Sequence, residues 1–217
     1  MRVLLIGFGA FGLWFSRSMM ELGHEVIAVE VDEALVDRYA ESATRAVHGD
    51  ATDPAVLERA GARHVDAAVL GTSEDLATTI LSALALRDLG VEEIYAKVRS
   101  TSEVRAVEAL GITEAIFPDR EAGNRLAHRI ASKGVLEYTP VAPGFSLQEI
   151  AIPEGWVGKS LLELDARERG IQVVGVRDAL GGELHLPPDP GEKLKTSDSL
   201  LVAGSDEALA ELDERGS

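Results

Sequence analysis

Residues 2–30 read Arg2-Val-Leu-Leu-Ile6, then Gly7-Phe8-Gly9-Ala10-Phe11-Gly12, then an apolar-rich segment to Leu22, then Gly23-His24-Glu25-Val26-Ile27-Ala28-Val29-Glu30. The order is strand, glycine turn, helix, turn, second strand and acid, which is that of a dinucleotide-binding βαβ unit. Val3 to Ile6 are consecutive apolar residues, the pattern of a parallel strand buried on both faces. Gly7 permits a tight turn, Gly9 leaves the backbone open to a pyrophosphate, and Gly12 lets the helix pack closely on the strand. The helix presents free backbone N–H groups and the positive end of its dipole to phosphate. Glu30 ends the second strand 18 residues after Gly12. A carboxylate there accepts hydrogen bonds from ribose hydroxyls and repels a 2′-phosphate, which argues against NADP. Asp32, two residues on, competes for that role. A lone G-x-G-x-x-G is a weak signal; with strand, helix, second strand and acid in register it is a strong one.

The 217 residues suffice for one large domain or two small ones, and 46% hydrophobic content supports a real core. Cysteine is absent, so disulfides, thiolate metal sites and a cysteine nucleophile are excluded, which fits a cytosolic protein. No secretory pattern precedes the first strand. The longest uncharged run, Val3 to Ser16, has 14 residues and three glycines, short of the roughly 20 a spanning helix needs. A formal charge of −16, from 21 basic and 37 acidic residues, disfavours nucleic acid and anionic lipid as partners. It is compatible with a nucleotide held locally by helix-end amides.

The rest of the first half continues the alternation. Residues 33–41 read as a helix, and Thr44 to His48 as a third strand ending in Gly49-Asp50-Ala51-Thr52. Asp53 and Pro54 are the cap and first position of a helix that Gly61 stops. Asp50 is placed to bond an adenine amino group, or is a simple turn acid. Val65 to Gly71 is a fourth strand, followed by the loop Thr72-Ser73-Glu74-Asp75 and an apolar helix to Leu89. Ile94 to Val98 is a fifth strand, with Lys97 and Arg99 at its end, either reaching a phosphate or carboxylate or solvated. Residues 102–110 form a helix and Ala115 to Phe117 a short sixth strand. Asp119 and Glu121 open a helix to Ser132; the helix dipole accounts for both acids, and a divalent-cation role for Asp119 is the other reading.

Residues 139–145 hold two prolines and a glycine and read as a domain boundary. Beyond it the rhythm changes: a strand from Phe145 to Ile152, a helix with a Ser160/Glu163 capping box, and a strand from Ile171 to Arg177. A Gly181-Gly182 hairpin turn, a strand from Ser199 to Ala203 and a last helix over 206–213 complete it. The expected fold is α/β: a Rossmann-like doubly wound parallel sheet over residues 1–138 and a small α+β domain over 145–217. Such a small module has a marginal core alone, and pairing with a copy of itself would help. The five histidines are scattered without ligand spacing, and the aromatic residues form no stacking platform.

These residues resemble the regulator-of-potassium-conductance (RCK) family, with its TrkA-N and TrkA-C domains, and within it the single-unit Ktr type. The stretches that carry the resemblance are Gly7 to Gly12, Gly23 to Glu30, Gly49 to Asp53, Lys97 to Arg99, Gly158-Lys159-Ser160-Leu161-Leu162-Glu163-Leu164, and Ser197 to Gly204. The resemblance implies a cytoplasmic regulatory subunit, peripheral on the inner face of the membrane. It implies homodimers assembled into an octameric ring beneath a membrane-embedded potassium channel or transporter, with nucleotide binding gating the pore. It implies phosphate on the backbone of Gly9, Ala10, Phe11 and Gly12, with Gly7 and Phe8 in the same binding turn, ribose on Glu30 beside Val31, and adenine near Asp50, Ala51 and Thr52. Gly71, Thr72 and Ser73 would cover the site, with Lys97 and Asp119 toward the phosphates and a divalent cation; Arg99 is the further cofactor-binding candidate at the strand end. ATP/ADP and NAD(H) are the ligands implied for this domain, and some relatives bind cyclic di-AMP at the C-terminal domain. ATP-regulated relatives often carry an arginine where this chain has Ala10, which shifts the balance toward NAD(H), ADP or AMP.

The competing class is a nicotinamide-dependent oxidoreductase, which needs a substrate domain and a general acid or base beside the nicotinamide. The second module is small, and no Tyr-x-x-x-Lys or His–Asp arrangement appears, so a binding domain without turnover is the better reading. A regulator of a different transporter or antiporter is the third reading.

Overall fold

A computed structural model describes residues 1–72, 75–164, 166–178 and 181–214. The chain forms two compact units that divide between Arg120 and Glu121. The first runs β1 (Arg2–Ile6), α1 (Ala10–Glu21), β2 (Glu25–Glu30), α2 (Glu33–Tyr39), β3 (Arg45–His48), α3 (Pro54–Ala60), β4 (Ala67–Leu70), α4 (Leu76–Asp88), β5 (Ile94–Lys97), α5 (Thr101–Ala109) and β6 (Glu114–Ile116). All pairings are parallel, in the order β3-β2-β1-β4-β5-β6. The order reverses between β1 and β4, which opens a crevice at their C-terminal ends.

The continuous apolar strands are explained by helices on both faces. Leu4, Ile6, Ile27, Val29, Ala68 and Leu70 pack on one side with Leu57, Leu86 and Val107 of α3, α4 and α5. Their neighbours Val3, Leu5, Val26, Ala28 and Val69 pack on the other with Phe11, Phe15, Leu35 and Tyr39 of α1 and α2. Local chemistry sets the helix starts: the side chains of Asp32, Asp53, Asp75 and Ser100 each accept a backbone N–H at the starts of α2, α3, α4 and α5.

The second unit contains most of α6 (Pro118–Ala131), then β7 (Val135–Ala142), β8 (Phe145–Ala151), β9 (Gln172–Arg177), β10 (Leu184–His185), β11 (Ser199–Ser205) and α7 (Asp206–Glu214). Its strands form one antiparallel sheet, β10-β9-β11-β8-β7, over a core of Ile150, Trp156, Ile171, Leu200, Val202 and Leu209. Two expectations are corrected. Residues 139–145 are no linker: β7 pairs with β8, and Pro143-Gly144 is their turn, with Gly144 at φ 74°. Residues 135–138 therefore belong to the second sheet rather than to the first domain. Pro140 lies on β7, an edge strand, at a shift in its register with β8, and proline is confined to such places in sheets. The helix expected after Ser160 is a single 3-10 turn, Leu161–Glu163, although its capping box is made: the Glu163 carboxylate accepts the Ser160 N–H at 2.8 Å and its hydroxyl at 2.9 Å. The Gly181-Gly182 turn adjoins residues outside the described ones; Gly182 N–H donates to Asp178 O at 2.8 Å. No helix among the described residues is long and apolar enough to cross a membrane.

Candidate functional site

At the C-terminal ends of β1 to β5 lies a cleft of about 640 Å³, lined within the first unit by Gly7, Gly9, Ala10 and Phe11 on its helix side. Glu30, Val31 and Asp32 line the end of β2, Asp50 and Ala51 the end of β3, and Gly71, Thr72 and Lys97 the ends of β4 and β5. Most of the expected site residues are thus brought together.

The start of α1 differs from those of the next four helices. Its cap residue is Gly9, no side chain among the described residues bonds its first-turn N–H groups, and its first turn carries no acid. A 12-residue helix so ends with its positive pole bare at the cleft. An anion is the natural occupant. The motif glycines serve different ends. A Cβ on Gly12 would lie 2.0 Å from the Gly7 carbonyl oxygen, and Gly7 itself sits at φ 94°. Those two are fixed by the protein's own packing. Gly9 has φ −60° and ψ 179°, open to any residue, and a Cβ there meets no atom within 4 Å among the described residues beyond its own chain neighbours and helix. The packing of the described residues therefore does not require glycine at position 9.

Glu30 is buried, with 8% exposure, and its carboxylate accepts three backbone N–H groups: Phe8 at 2.6 Å, Val31 at 2.7 Å and Asp32 at 2.9 Å. A carboxylate offers about four lone-pair sites. Three are used by the chain, so room remains for one ribose hydroxyl rather than two. Glu30 is as much the clamp between the glycine turn and the end of β2 as a ligand group. Replacing Glu30 by glutamine turns an amide toward these donors and strands one of them. We expect Glu30→Gln to lose about 2 kcal/mol of unfolding free energy, read by urea denaturation, together with weaker nucleotide binding.

Asp50 accepts both the N–H and the hydroxyl of Thr52 at 2.8 Å through one oxygen, Oδ1. The Thr52 backbone bond first, then its hydroxyl, holds the Asp50 carboxyl below its ordinary pKa, so it stays charged, and both bonds fall on Oδ1. Thr52 therefore shapes the site without lining it.

Other expected residues fall elsewhere. Phe8 contributes its N–H to Glu30 while its ring is buried in the core. Gly12 is packing, as above. The Arg99 N–H donates to Glu103 at 2.7 Å and its guanidinium lies 3.8 Å from the same carboxylate, so the residue turns to the start of α5 and does not line the cleft. Asp119 is exposed in the first turn of α6 and does not line it either. Among the described residues no group of three or more His, Asp or Glu could hold a metal ion. Ser73 lies outside the described residues. Leu35 and Thr78 line the cleft and were missed. The signal for Thr78 was the Asp75 cap, which puts that residue in the first turn of a helix rising from a strand end.

Residues 3–118 match the TrkA-N domain family and residues 147–215 the TrkA-C domain family. The chain belongs to the TrkA-N/TrkA-C family. Among its relatives, the Ktr system potassium uptake protein C of Bacillus subtilis (strain 168) is 34% identical over 212 residues, covering 97% of this chain and 95% of that one. The Ktr system potassium uptake protein A of the same organism is 25% identical over 213 residues, covering 98% and 95%. The match thus runs the length of both chains, through both TrkA domains. Among solved structures, the GsuK channel bound to NAD superposes with a TM-score of 0.69 at 17% identity, over all of this chain and 39% of that one. At that identity the likeness carries the fold alone.

Proposed function

We propose that this TrkA-family chain is a nucleotide-sensing regulatory subunit of a potassium uptake system. The observation that carries the reading is the bare α1 terminus, with an unobstructed Gly9 beneath it and the buried Glu30 carboxylate at one wall. That arrangement is built to hold a nucleotide's phosphates and ribose. The Ktr relatives, matched along almost their full length, are named for potassium uptake, and the GsuK channel was solved with NAD in place. The ligands that suit the crevice are NAD(H) and the adenine nucleotides ADP, AMP and ATP. Ala10 supplies no cation for a third phosphate.

In this reading the chain acts on the cytoplasmic face of the membrane, with homodimers assembled into an octameric ring beneath a membrane-embedded potassium channel or transporter. Ligands in the crevice bias the ring between two arrangements through their differential affinity for each. In this reading the crevice binds its ligand without turning it over. A divalent cation with the phosphates, and cyclic di-AMP at the C-terminal unit, remain part of the proposal; that unit has its own cleft of about 860 Å³, walled by Leu161, Ile171, Val173 and Pro188.

The test is calorimetric titration of nucleotide-stripped protein with ATP, ADP, AMP, NAD and NADH, with and without magnesium. The expected result is binding of at least one adenine nucleotide at about micromolar Kd, roughly 8 kcal/mol. Failure of all five would remove the crevice from the mechanism.

A further inference from the structure

The division between the two units falls within α6, after Arg120, so this helix carries the chain out of the first unit and into the second. Among its residues none is buried, and its large apolar side chains, Leu126 and Ile130, are exposed. A helix fixed by packing buries an apolar stripe. α6 buries none, and no α6 residue belongs to the second unit's apolar core. It is held by point contacts instead.

The first of these is aromatic. The His128 ring lies flat on the Tyr138 ring of β7, with centroids 3.9 Å apart and planes 8° from parallel. The second is an ion pair, Arg129 Nη1 to Glu137 Oε1 at 3.5 Å, with both side chains about half exposed. Pairs so placed contribute little. The two halves of the stack differ. His128 is exposed, whereas Tyr138 is buried, with 6% exposure. Burial first, then the charge of Asp206 and a hydrogen bond to it, hold the Tyr138 phenol above its usual pKa, so it stays a neutral donor. Asp206, the first residue of α7, accepts the Ser146 hydroxyl at 2.7 Å and donates its N–H to Gly144 O at 2.9 Å. The Gln148 amide donates to the Ser146 oxygen at 2.9 Å. Tyr138 is thus fixed to β8 and to the start of α7, and His128 is the half that can leave.

We propose that the stack of His128 on Tyr138 is a latch that docks α6 on the second sheet, and that the helix is released from this sheet while the unit's core stays folded. The inference needs no ligand and stands apart from the nucleotide reading. An aromatic pair shifts a local opening equilibrium about three- to tenfold, and the exposed ion pair shifts it less.

The experiment is hydrogen exchange on the full chain, followed by mass spectrometry on peptides covering residues 121–131, β8 and β11. It compares the wild type with His128→Ala, His128→Phe and Arg129→Ala. In His128→Ala the α6 amides should exchange about three- to tenfold faster, with β8 and β11 changed less than about twofold. His128→Phe keeps a ring over Tyr138 and should restore the wild-type rate. Arg129→Ala should change α6 less than about twofold. Unchanged α6 exchange in His128→Ala would overturn the proposal, because something else would then hold the helix. Equal acceleration of β8 and β11 would also overturn it, because α6 would then open only with the core. A His128→Phe variant as fast as His128→Ala would show that the ring contact is not the latch.

Discussion

Gly12→Ala should cost the first unit about 3 kcal/mol or more of stability, seen as a fall of roughly 6–12 °C in Tm by calorimetry. Two effects oppose each other. Alanine in a helix interior is favoured over glycine by about 1 kcal/mol. Against that, the new methyl would sit 2.0 Å from the Gly7 carbonyl oxygen and 3.1 Å from its carbon. These are backbone atoms, and they are held. The Gly7 N–H donates to Val29 O at 2.9 Å, tying the turn to β2, and the next residue's N–H is clamped by Glu30. The helix has to move away from the strand instead, opening the packing of Phe11 and Phe15 against Val3 and Leu5. The clash wins because relieving it breaks a core, whereas the propensity gain is a single small term. A variant as stable as the wild type would show that the close approach of α1 to the glycine turn is wrong.

Much of this was readable from residue order. The alternation of buried faces in β1 and β2, the Asp53-Pro54 helix start and the Ser160/Glu163 box each follow from local rules, and each is formed. What failed did so where one signal serves two structures. Proline and glycine over 139–145 punctuate a linker and a hairpin turn alike, and only the pairing of Thr139 with Leu147 tells them apart. Lys97 and Arg99, two residues apart, looked equivalent. But β5 ends at Lys97, and Arg99 is drawn to the start of α5, where Ser100 and Glu103 cap the helix. That capping pair was present in the sequence and marks where the strand's alternation stops. The double duty of Glu30 was not legible, because three backbone donors converge on it from two separate segments.

Gly9→Asp should separate folding from binding in one substitution. At φ −60° and ψ 179° the backbone of residue 9 is ordinary, and among the described residues beyond its own chain neighbours and helix no atom lies within 4 Å of a Cβ built there. Aspartate is among the best helix caps, and α1 is the helix that has no side-chain cap. A carboxylate at this position also opposes the helix dipole's positive end favourably. Stability should therefore hold or rise by about 1 kcal/mol, measured by urea unfolding. Nucleotide affinity should fall about a hundredfold or more, because the new carboxylate occupies the first-turn N–H groups and repels the pyrophosphate that would lie there. The two readouts move in opposite directions, which no general loss of structure can produce. Unchanged affinity would mean that phosphate does not use the α1 terminus. Lost stability would mean that something other than ligand access requires glycine at position 9. A stable variant that no longer binds would assign this glycine to the nucleotide rather than to the fold.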